Sequence, residues 1–406
     1  MTGAPPASLA PDSRAYSNGP SLVVGSTQAM LASVAARGGS FLVLVIASRA
    51  MTASQFGAFG LWFSVASALA SLATLGPGEQ LAYAIARGGQ LGFKRQVGLL
   101  LGPAAVAVPL MAALPLFDPP LGTGMAGTAL WLAIVGQLIA MHMLRGLGRV
   151  GEASFLALGL PSVLRVGSLA LVGPGDASAA LASLALVTVL SVVGLAARIA
   201  LLHPETGNER NPVPTLAVKG LSIGVLWVLL QQNDVIWLGL LRGPQAVAEY
   251  LPTMRLAEAS TIVAASINFA AVGQFAGERR PSHWLWRDLR IANGVGTLAL
   301  GALSIIALRG LIEDVLGRSL LPLGPSCFLL AGYLLLTVGQ PSIGRAYASG
   351  DQAPFFTTAL VTVTAAVTVM GMAVAVAGTL GAAAINGLQY GLLGLWLLRA
   401  KPERTT

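Results

Sequence analysis

The chain has 406 residues, of which 55% are hydrophobic and only 10% are charged. Soluble domains carry about 25% charged residues, so this composition excludes an ordinary soluble protein. The net charge is +8, but the basic residues are scattered singly between apolar segments. That distribution argues against nucleic acid as a partner and favours the lipid bilayer.

Twelve apolar segments follow a start that is rich in Ala, Pro, Ser and Gly. Residues 1–22 are expected to form a disordered tail, and they lack the features of a cleaved signal peptide. Each later segment is long enough to cross a hydrocarbon core as a helix. The segments are 26–50, 56–75, 97–117, 127–147, 153–172, 177–201, 221–241, 246–272, 291–308, 321–348, 355–377 and 380–398. The sequence therefore predicts an all-α integral membrane protein with about twelve transmembrane helices.

Basic residues fall almost entirely into every second gap between these segments. The poorer side holds only Arg49, Arg242, Arg309 and Arg318. Because Lys and Arg accumulate in cytoplasmic loops, the poorer side is predicted to be outer. Both termini are then cytoplasmic, and the protein is a multi-pass protein of an inner (cytoplasmic) membrane.

Two halves with similar patterns are separated by a polar linker, 203–218, that contains three prolines. The halves are 23–202 and 219–399, and residues 400–406 form a cytoplasmic tail. Segment 52–60 in the first half and segment 243–251 in the second each place a small residue two before an aromatic: Gly57 and Phe59, then Ala248 and Tyr250. The repeat predicts two six-helix bundles in the same orientation, with a substrate site between them.

Several short motifs occur in order along this layout. They are Phe56-Gly-Ala-Phe59, Leu75-Gly76, Leu144-Arg-Gly-Leu-Gly-Arg149, Asp234-Val-Ile-Trp-Leu-Gly-Leu-Leu241, Gly243-Pro-Gln-Ala-Val-Ala-Glu-Tyr250 and Met254-Arg-Leu-Ala-Glu258. With them the chain resembles, over about 26–398, the Wzx-type polysaccharide flippases of the multidrug/oligosaccharidyl-lipid/polysaccharide (MOP) exporter superfamily, which have a MATE-like fold.

The resemblance implies movement of undecaprenyl-pyrophosphate-linked oligosaccharide repeat units across a bacterial inner membrane for surface polysaccharide biosynthesis. It also implies alternating access driven by Na⁺ or H⁺, with a polysaccharide polymerase and glycosyltransferases as partners. No other cofactor is expected. Cavity arginines on the first and eighth helices of such flippases match Arg37 and Arg255 by helix.

Charged residues inside the apolar segments are the candidate site. A charge near the bilayer centre costs about 2.5–3.5 kcal/mol unless it faces a cavity or a partner. Arg37, Arg165 and Arg255 are predicted to grip the pyrophosphate, because a guanidinium offers a fixed fork of donors. The sugars are predicted to meet a set of amide side chains: Gln231, Gln232, Asn233 and Asn268.

Three acidic residues are candidates for ion coupling: Asp234, Glu258 and Glu79. Asp234 is expected at a depth similar to that of Arg255, so the two residues are predicted to pair. The alternative is that Arg255 is neutralised by Asp234 or Glu258 and only holds helices together. Glu79 follows Gly76-Pro77-Gly78 and has the alternative role of a helix-start residue.

No enzyme constellation is visible. His142, His203 and His283 are far apart, and the sequence has no phosphate-binding loop of the Walker type. The chain is therefore predicted to be neither an enzyme nor a metal protein. The alternatives within the resemblance are a MATE-like multidrug or metabolite antiporter and a lipid II-type precursor flippase, which carries fourteen helices. A membrane glycosyltransferase or polymerase needs a large outer loop, and the longest outer gap, 309–320, is short.

Overall fold

The computed structural model describes residues 22–86, 121–146, 149–173, 175–202, 232–265, 267, 283–342 and 353–399. These residues are helical and include no strand. The predicted segment 97–117, the linker 203–218 and the tails 1–21 and 400–406 lie outside them.

In the first half, α1 is Leu22–Ala50, α2 is Ala53–Ala86 and α3 is Leu121–Gly146. Helix α4 comprises Val150–Ser154, a π-helical turn Phe155–Gly159 and Leu160–Val172, and α5 is Ala177–Leu202. Helix α2 packs against α3, which packs against α5, while α1 packs against α4.

In the second half, α6 is 232–242, α7 is Pro244–Ala259, and α8 is His283–Gly301 continued by the π-helical turn Ala302–Ala307. Helix α9 is Arg309–Leu316, α10 is Leu323–Gly339 and α11 is Ala353–Arg399. Helix α10 packs against both α8 and α11.

Six stretches of the described helices are long and apolar enough to cross a membrane. They are Ala53–Ala70, Gly122–Leu144, Gly151–Val172, Ala177–Leu201, Arg287–Ala307 and Val361–Arg399. The last stretch is bent at Gly378, whose φ of 56° and ψ of −129° are not helical. A positive φ is easily adopted only by glycine. The bend separates the predicted segments 355–377 and 380–398.

Three helix boundaries differ from the sequence prediction. Helix α2 continues through 76–78 to Ala86, so Glu79 is not a helix-start residue. A backbone in lipid must satisfy its own hydrogen bonds, which keeps a helix intact through Gly and Pro. The predicted segment 246–272 is interrupted after Ala259 by a turn at Ser260 and Thr261, and the gap 309–320 contains α9.

Candidate functional site

The two halves meet along a seam between α2 and α7. A Cβ atom placed on Gly57 would lie 1.6 Å from the backbone oxygen of Pro244, and one on Gly60 would lie 2.4 Å from Leu251 Cδ2. Only glycine fits so close an approach of two backbones. Tyr250, on the α7 side of the motif repeat, is fully buried. The repeated segments 52–60 and 243–251 thus contact each other where the halves meet.

A second contact between the halves lies where α1 ends and α2 begins, next to Arg49; we call this end of the molecule the Arg49 face. Ser48 Oγ donates to Leu316 O at 2.7 Å, and Arg49 Nε donates to Val315 O at 2.7 Å. Arg49 also donates to Asp314 O. These carbonyls belong to the last turn of α9, so Arg49 caps the C-terminal end of a helix in the other half.

Arg318 makes the corresponding contact from the second half to the first. Its Nη2 donates to Met51 O at 3.0 Å, just beyond the end of α1, and its guanidinium lies 4.8 Å from the centre of the Phe56 ring. Burial lowers the pKa of the Arg318 guanidinium from its usual value. Each half therefore supplies an arginine that caps a helix end of the other.

The remaining arginines predicted to be outer are also engaged with backbone carbonyls. Arg242 donates to Val374 O and Ala375 O, just before the bend in α11. Arg309 donates to the carbonyls of residues 320 and 321, while pairing with Glu313. All four arginines on this side therefore compensate the partial negative charge of backbone carbonyls.

We expect Arg49→Gln and Arg318→Gln each to lower the free energy of unfolding by about 1 kcal/mol, because each removes a cation from a helix C-terminus. Their effects should not add, because both bonds join the same two segments. Thermal unfolding in detergent micelles measures this. The matched control is Arg149→Gln, an exposed arginine. Strictly additive losses would contradict the reciprocal arrangement.

Arg255 lies at the deeper end of the same seam, about 10 Å along α2 from Gly57. Its Nη2 donates to Ser64 Oγ at 2.9 Å, across the two halves, and its Nη1 pairs with Glu258 at 2.6 Å. The predicted pair with Asp234 is wrong: among the described residues no ion pair joins Asp234 to Arg255. Glu258 is nearer because it follows Arg255 by one helical turn.

Asp234 instead occupies a polar cluster inside the second half, where its side chain is fully buried. Its Oδ2 accepts hydrogen bonds from Tyr250 Oη at 2.6 Å and from Asn386 Nδ2, and its Oδ1 accepts from the Val235 N–H at 2.7 Å. Asn386 Oδ1 in turn accepts from Gln389 Nε2 at 2.9 Å. The three groups that donate to this carboxyl group, Tyr250, Asn386 and the Val235 N–H, are all neutral.

Two of the predicted sugar-binding amides are buried beside Asp234. Asn233 Nδ2 donates to Gln389 at 3.3 Å, and Gln232 is 7% exposed. Among the described residues, neither Gln232 Oε1 nor Asn233 Oδ1 has a hydrogen-bond donor. A buried acceptor oxygen without a donor is unusual in a folded protein. Asn233 thus joins the hydrogen-bonded cluster of Asp234 through Gln389, whereas among the described residues no hydrogen bond joins Gln232 to it.

Arg165 lies in α4 and reaches between α3 and α5. Its Nη2 donates to Gln137 Oε1 at 2.8 Å and to Thr188 Oγ1 at 2.9 Å, and its Nε donates to Thr188 Oγ1 at 3.1 Å. Both acceptors, the amide oxygen and the hydroxyl oxygen, are neutral. Sequence reasoning missed Gln137, Thr188 and Asn386, although each is a polar residue within an otherwise apolar segment.

Four predicted site residues are not placed. Gln231 and Asn268 lie outside the described residues, and the side chains of Arg37 and Glu79 lie outside them too, although both residues belong to described helices. Among the residues that are described, no group of three His, Cys, Asp or Glu side chains is close enough to hold a metal.

No protein-family model and no curated protein matches the chain. Solved structures do. An outward-facing multidrug resistance MATE family transporter of the MOP superfamily is 16% identical, with a TM-score of 0.63 over 95% of this chain and 96% of its own. The MATE multidrug transporter DinF-BH, solved as a complex with a ligand, is 13% identical, with a TM-score of 0.62 over 93% of this chain and 94% of its own.

A third similar structure is a MOP superfamily transporter from Pyrococcus furiosus, for which a reversed polarity of the binding pocket suggests a different function. It is 15% identical, with a TM-score of 0.58 over 93% of both chains. These likenesses show that the chain has the fold of MATE and MOP transporters, and with the apolar helices they support a multi-pass membrane protein. The similar proteins are transporters and not enzymes.

Proposed function

We propose that this protein is a flippase that moves an undecaprenyl-pyrophosphate-linked oligosaccharide from the inner to the outer leaflet of a bacterial inner membrane. It works by ion-coupled alternating access of two six-helix bundles, with twelve helices and both termini cytoplasmic. A polysaccharide polymerase and glycosyltransferases are its partners. The observation that carries the proposal is the position of Arg255 on the seam between the halves, bonded to Ser64 of the opposite half.

The charges within the described helices support an anionic substrate. Within the described part of the first half Arg165 contacts neutral acceptors only, and the single negative charge of Glu258 compensates Arg255. The carboxylate of Asp234 is fully buried in a different cluster. A pyrophosphate presents at least two negative charges and many acceptor oxygens, which arginine forks bind in bidentate fashion.

The seam supports alternating access. The contacts at Gly57, Arg49 and Arg318 close the halves together at the Arg49 face, which is predicted to be outer. In such a state a substrate enters from the cytoplasmic side, with the polyprenyl tail left in lipid between the bundles. Opening to the outside then requires these particular contacts to break.

A leaflet-transfer assay tests the proposal directly. Proteoliposomes should flip a polyprenyl-pyrophosphate oligosaccharide, while the same glycan on a neutral lipid should be transferred at least about tenfold more slowly.

The second candidate is a multidrug antiporter, favoured by the buried Asp234, since a carboxylate attracts cationic drugs. Uptake of a cationic dye without transfer of the glycolipid would contradict the flippase function and support the antiporter function.

We expect Arg255→Gln to reduce glycolipid transfer at least about tenfold, because a charged donor to the pyrophosphate is lost. The double variant Arg255→Gln/Glu258→Gln separates binding from neutralisation. If Arg255 only neutralises Glu258, removing both charges should restore transfer; if it binds substrate, the double variant should remain inactive. The control is Arg287→Gln, an exposed arginine of α8.

Arg37→Ala is expected to abolish surface polysaccharide in cells while leaving the amount of protein unchanged. The reason is the same as for Arg255, since Arg37 is proposed to contact the pyrophosphate from the first half. Immunoblotting of the membrane fraction controls for the protein level. Normal polysaccharide in this variant would remove Arg37 from the proposed site.

A further inference from the structure

Arg165 carries a charge that the described part of the chain does not neutralise. Its three hydrogen bonds end on the amide oxygen of Gln137 and the hydroxyl oxygen of Thr188. Among the described residues, Nη1 has no acceptor and no carboxylate contacts the guanidinium. Neutral oxygens replace the hydrogen bonds that water would make, but they leave the full positive charge in place.

The two acceptors are themselves fixed by the backbone. Thr188 Oγ1 donates its proton to Leu184 O at 2.7 Å, so its lone pairs face Arg165. Gln137 Nε2 donates to Ala157 O, which orients the amide oxygen towards Arg165. Gln137 and Thr188 are 4% and 0% exposed, respectively. Both side chains are therefore held in place before any ligand arrives.

Ala157 O, the carbonyl to which Gln137 donates, lacks its usual α-helical donor because of the sequence of α4. The α-helical donor for this carbonyl would be the N–H of residue 161, but that residue is proline, which has none. The proline ring also collides with the carbonyl four residues earlier, and the chain widens here into the π-helical turn Phe155–Gly159. Pro161 thus removes the α-helical donor from the carbonyl to which Gln137 donates, and the Gln137 amide oxygen accepts from Arg165.

We propose that Arg165, positioned by Gln137 and Thr188, forms a built anion site inside the first half, and that it takes a phosphoryl group. This inference rests on the proposed function, in which that group is the pyrophosphate of the lipid-linked substrate. Arg165 contacts the anion through Nη1. Gln137 and Thr188 are positioning residues that set the direction of the guanidinium without adding a charge.

The test uses the full-length protein in lipid nanodiscs, with inorganic pyrophosphate as the probe and calorimetric titration as the measurement. Gln137→Glu places a carboxylate against Arg165 and should weaken pyrophosphate binding at least about tenfold. Gln137→Met is the matched control: both variants lose the donor to Ala157 O, but only glutamate adds a charge. The methionine variant should therefore bind more tightly than the glutamate variant.

Arg165→Gln should also weaken binding at least about tenfold, without lowering the melting temperature, because it removes an uncompensated charge from the membrane interior. Unchanged pyrophosphate affinity in both Arg165→Gln and Gln137→Glu would overturn the site. So would a loss of affinity that only follows a fall in melting temperature, which is the result expected of a structural arginine.

The proposed function can fail separately. Binding of pyrophosphate that depends on Arg165, together with no transfer of the glycolipid by the unaltered protein, would support the anion site and contradict the flippase. Transfer that is lost in Arg255→Gln but normal in Arg165→Gln would contradict the anion site alone.

Discussion

Gly57→Ala is expected to reduce transport to background. The added methyl carbon would lie 1.6 Å from the backbone oxygen of Pro244, which cannot move without displacing the start of α7. Overpacking at tight contacts costs about 1–3 kcal/mol or more, so the closed seam should be strongly disfavoured. A flippase that cannot close at the Arg49 face cannot complete its cycle.

The measurement is leaflet transfer in proteoliposomes, together with solvent labelling of a cysteine introduced at Ser48. Ser48 donates to Leu316 O at the second contact between the halves, on the Arg49 face. Labelling should increase in the Gly57→Ala background. Gly167→Ala is the matched control, because a Cβ atom there meets nothing within 4 Å. Normal transport by Gly57→Ala would show that the seam does not have to close.

Asp234→Asn is expected to abolish the dependence of transport on the ion gradient while leaving slow downhill transfer. The substitution keeps the size of the side chain but removes the charge around which Tyr250 and Asn386 are arranged. Without that charge the cluster should no longer offer a buried negative group to a coupling cation. The variant therefore loses the coupling and not the pathway.

Transfer rates with and without imposed Na⁺ and proton gradients measure this effect, and they also identify the ion. Glu249→Gln is the control, since Glu249 is an exposed acid in α7 next to Tyr250. If Asp234→Asn responds to the gradient as the unaltered protein does, Asp234 is not the coupling residue, and Glu258 or Glu79 becomes the candidate.

Patterns with a strong physical cause were predicted well. Long apolar segments form helices in lipid. The helical class is confirmed, and six stretches of the described helices are long and apolar enough to cross a membrane. The small residue at Gly57 was recognised as part of a repeat, but the sequence alone does not show that the repeat touches Pro244 across the molecule. Such a contact depends on how two distant helices pack.

Partners of charged residues were predicted less well. Counting residues from the helix ends predicts Asp234 and Arg255 at the same depth. The two side chains nevertheless point in different directions around their helix axes and bind different partners. The continuation of α2 beyond Gly76 was missed because Gly and Pro break helices in water more readily than in lipid. The three acceptors and donors Gln137, Thr188 and Asn386 were missed because their roles depend on neighbours far along the chain.

The reciprocal capping at the Arg49 face also has a consequence for how the protein is made. Ser48 and its acceptor Leu316 are 268 residues apart in sequence. A ribosome that adds about 5–20 residues per second needs roughly 13–54 s to make that length of chain. Throughout this time the end of α1 lacks its partner, even after the first half is complete at residue 202. The joining of the halves is therefore a late step of biogenesis, and a chain truncated before Leu316 should remain exposed to membrane proteases.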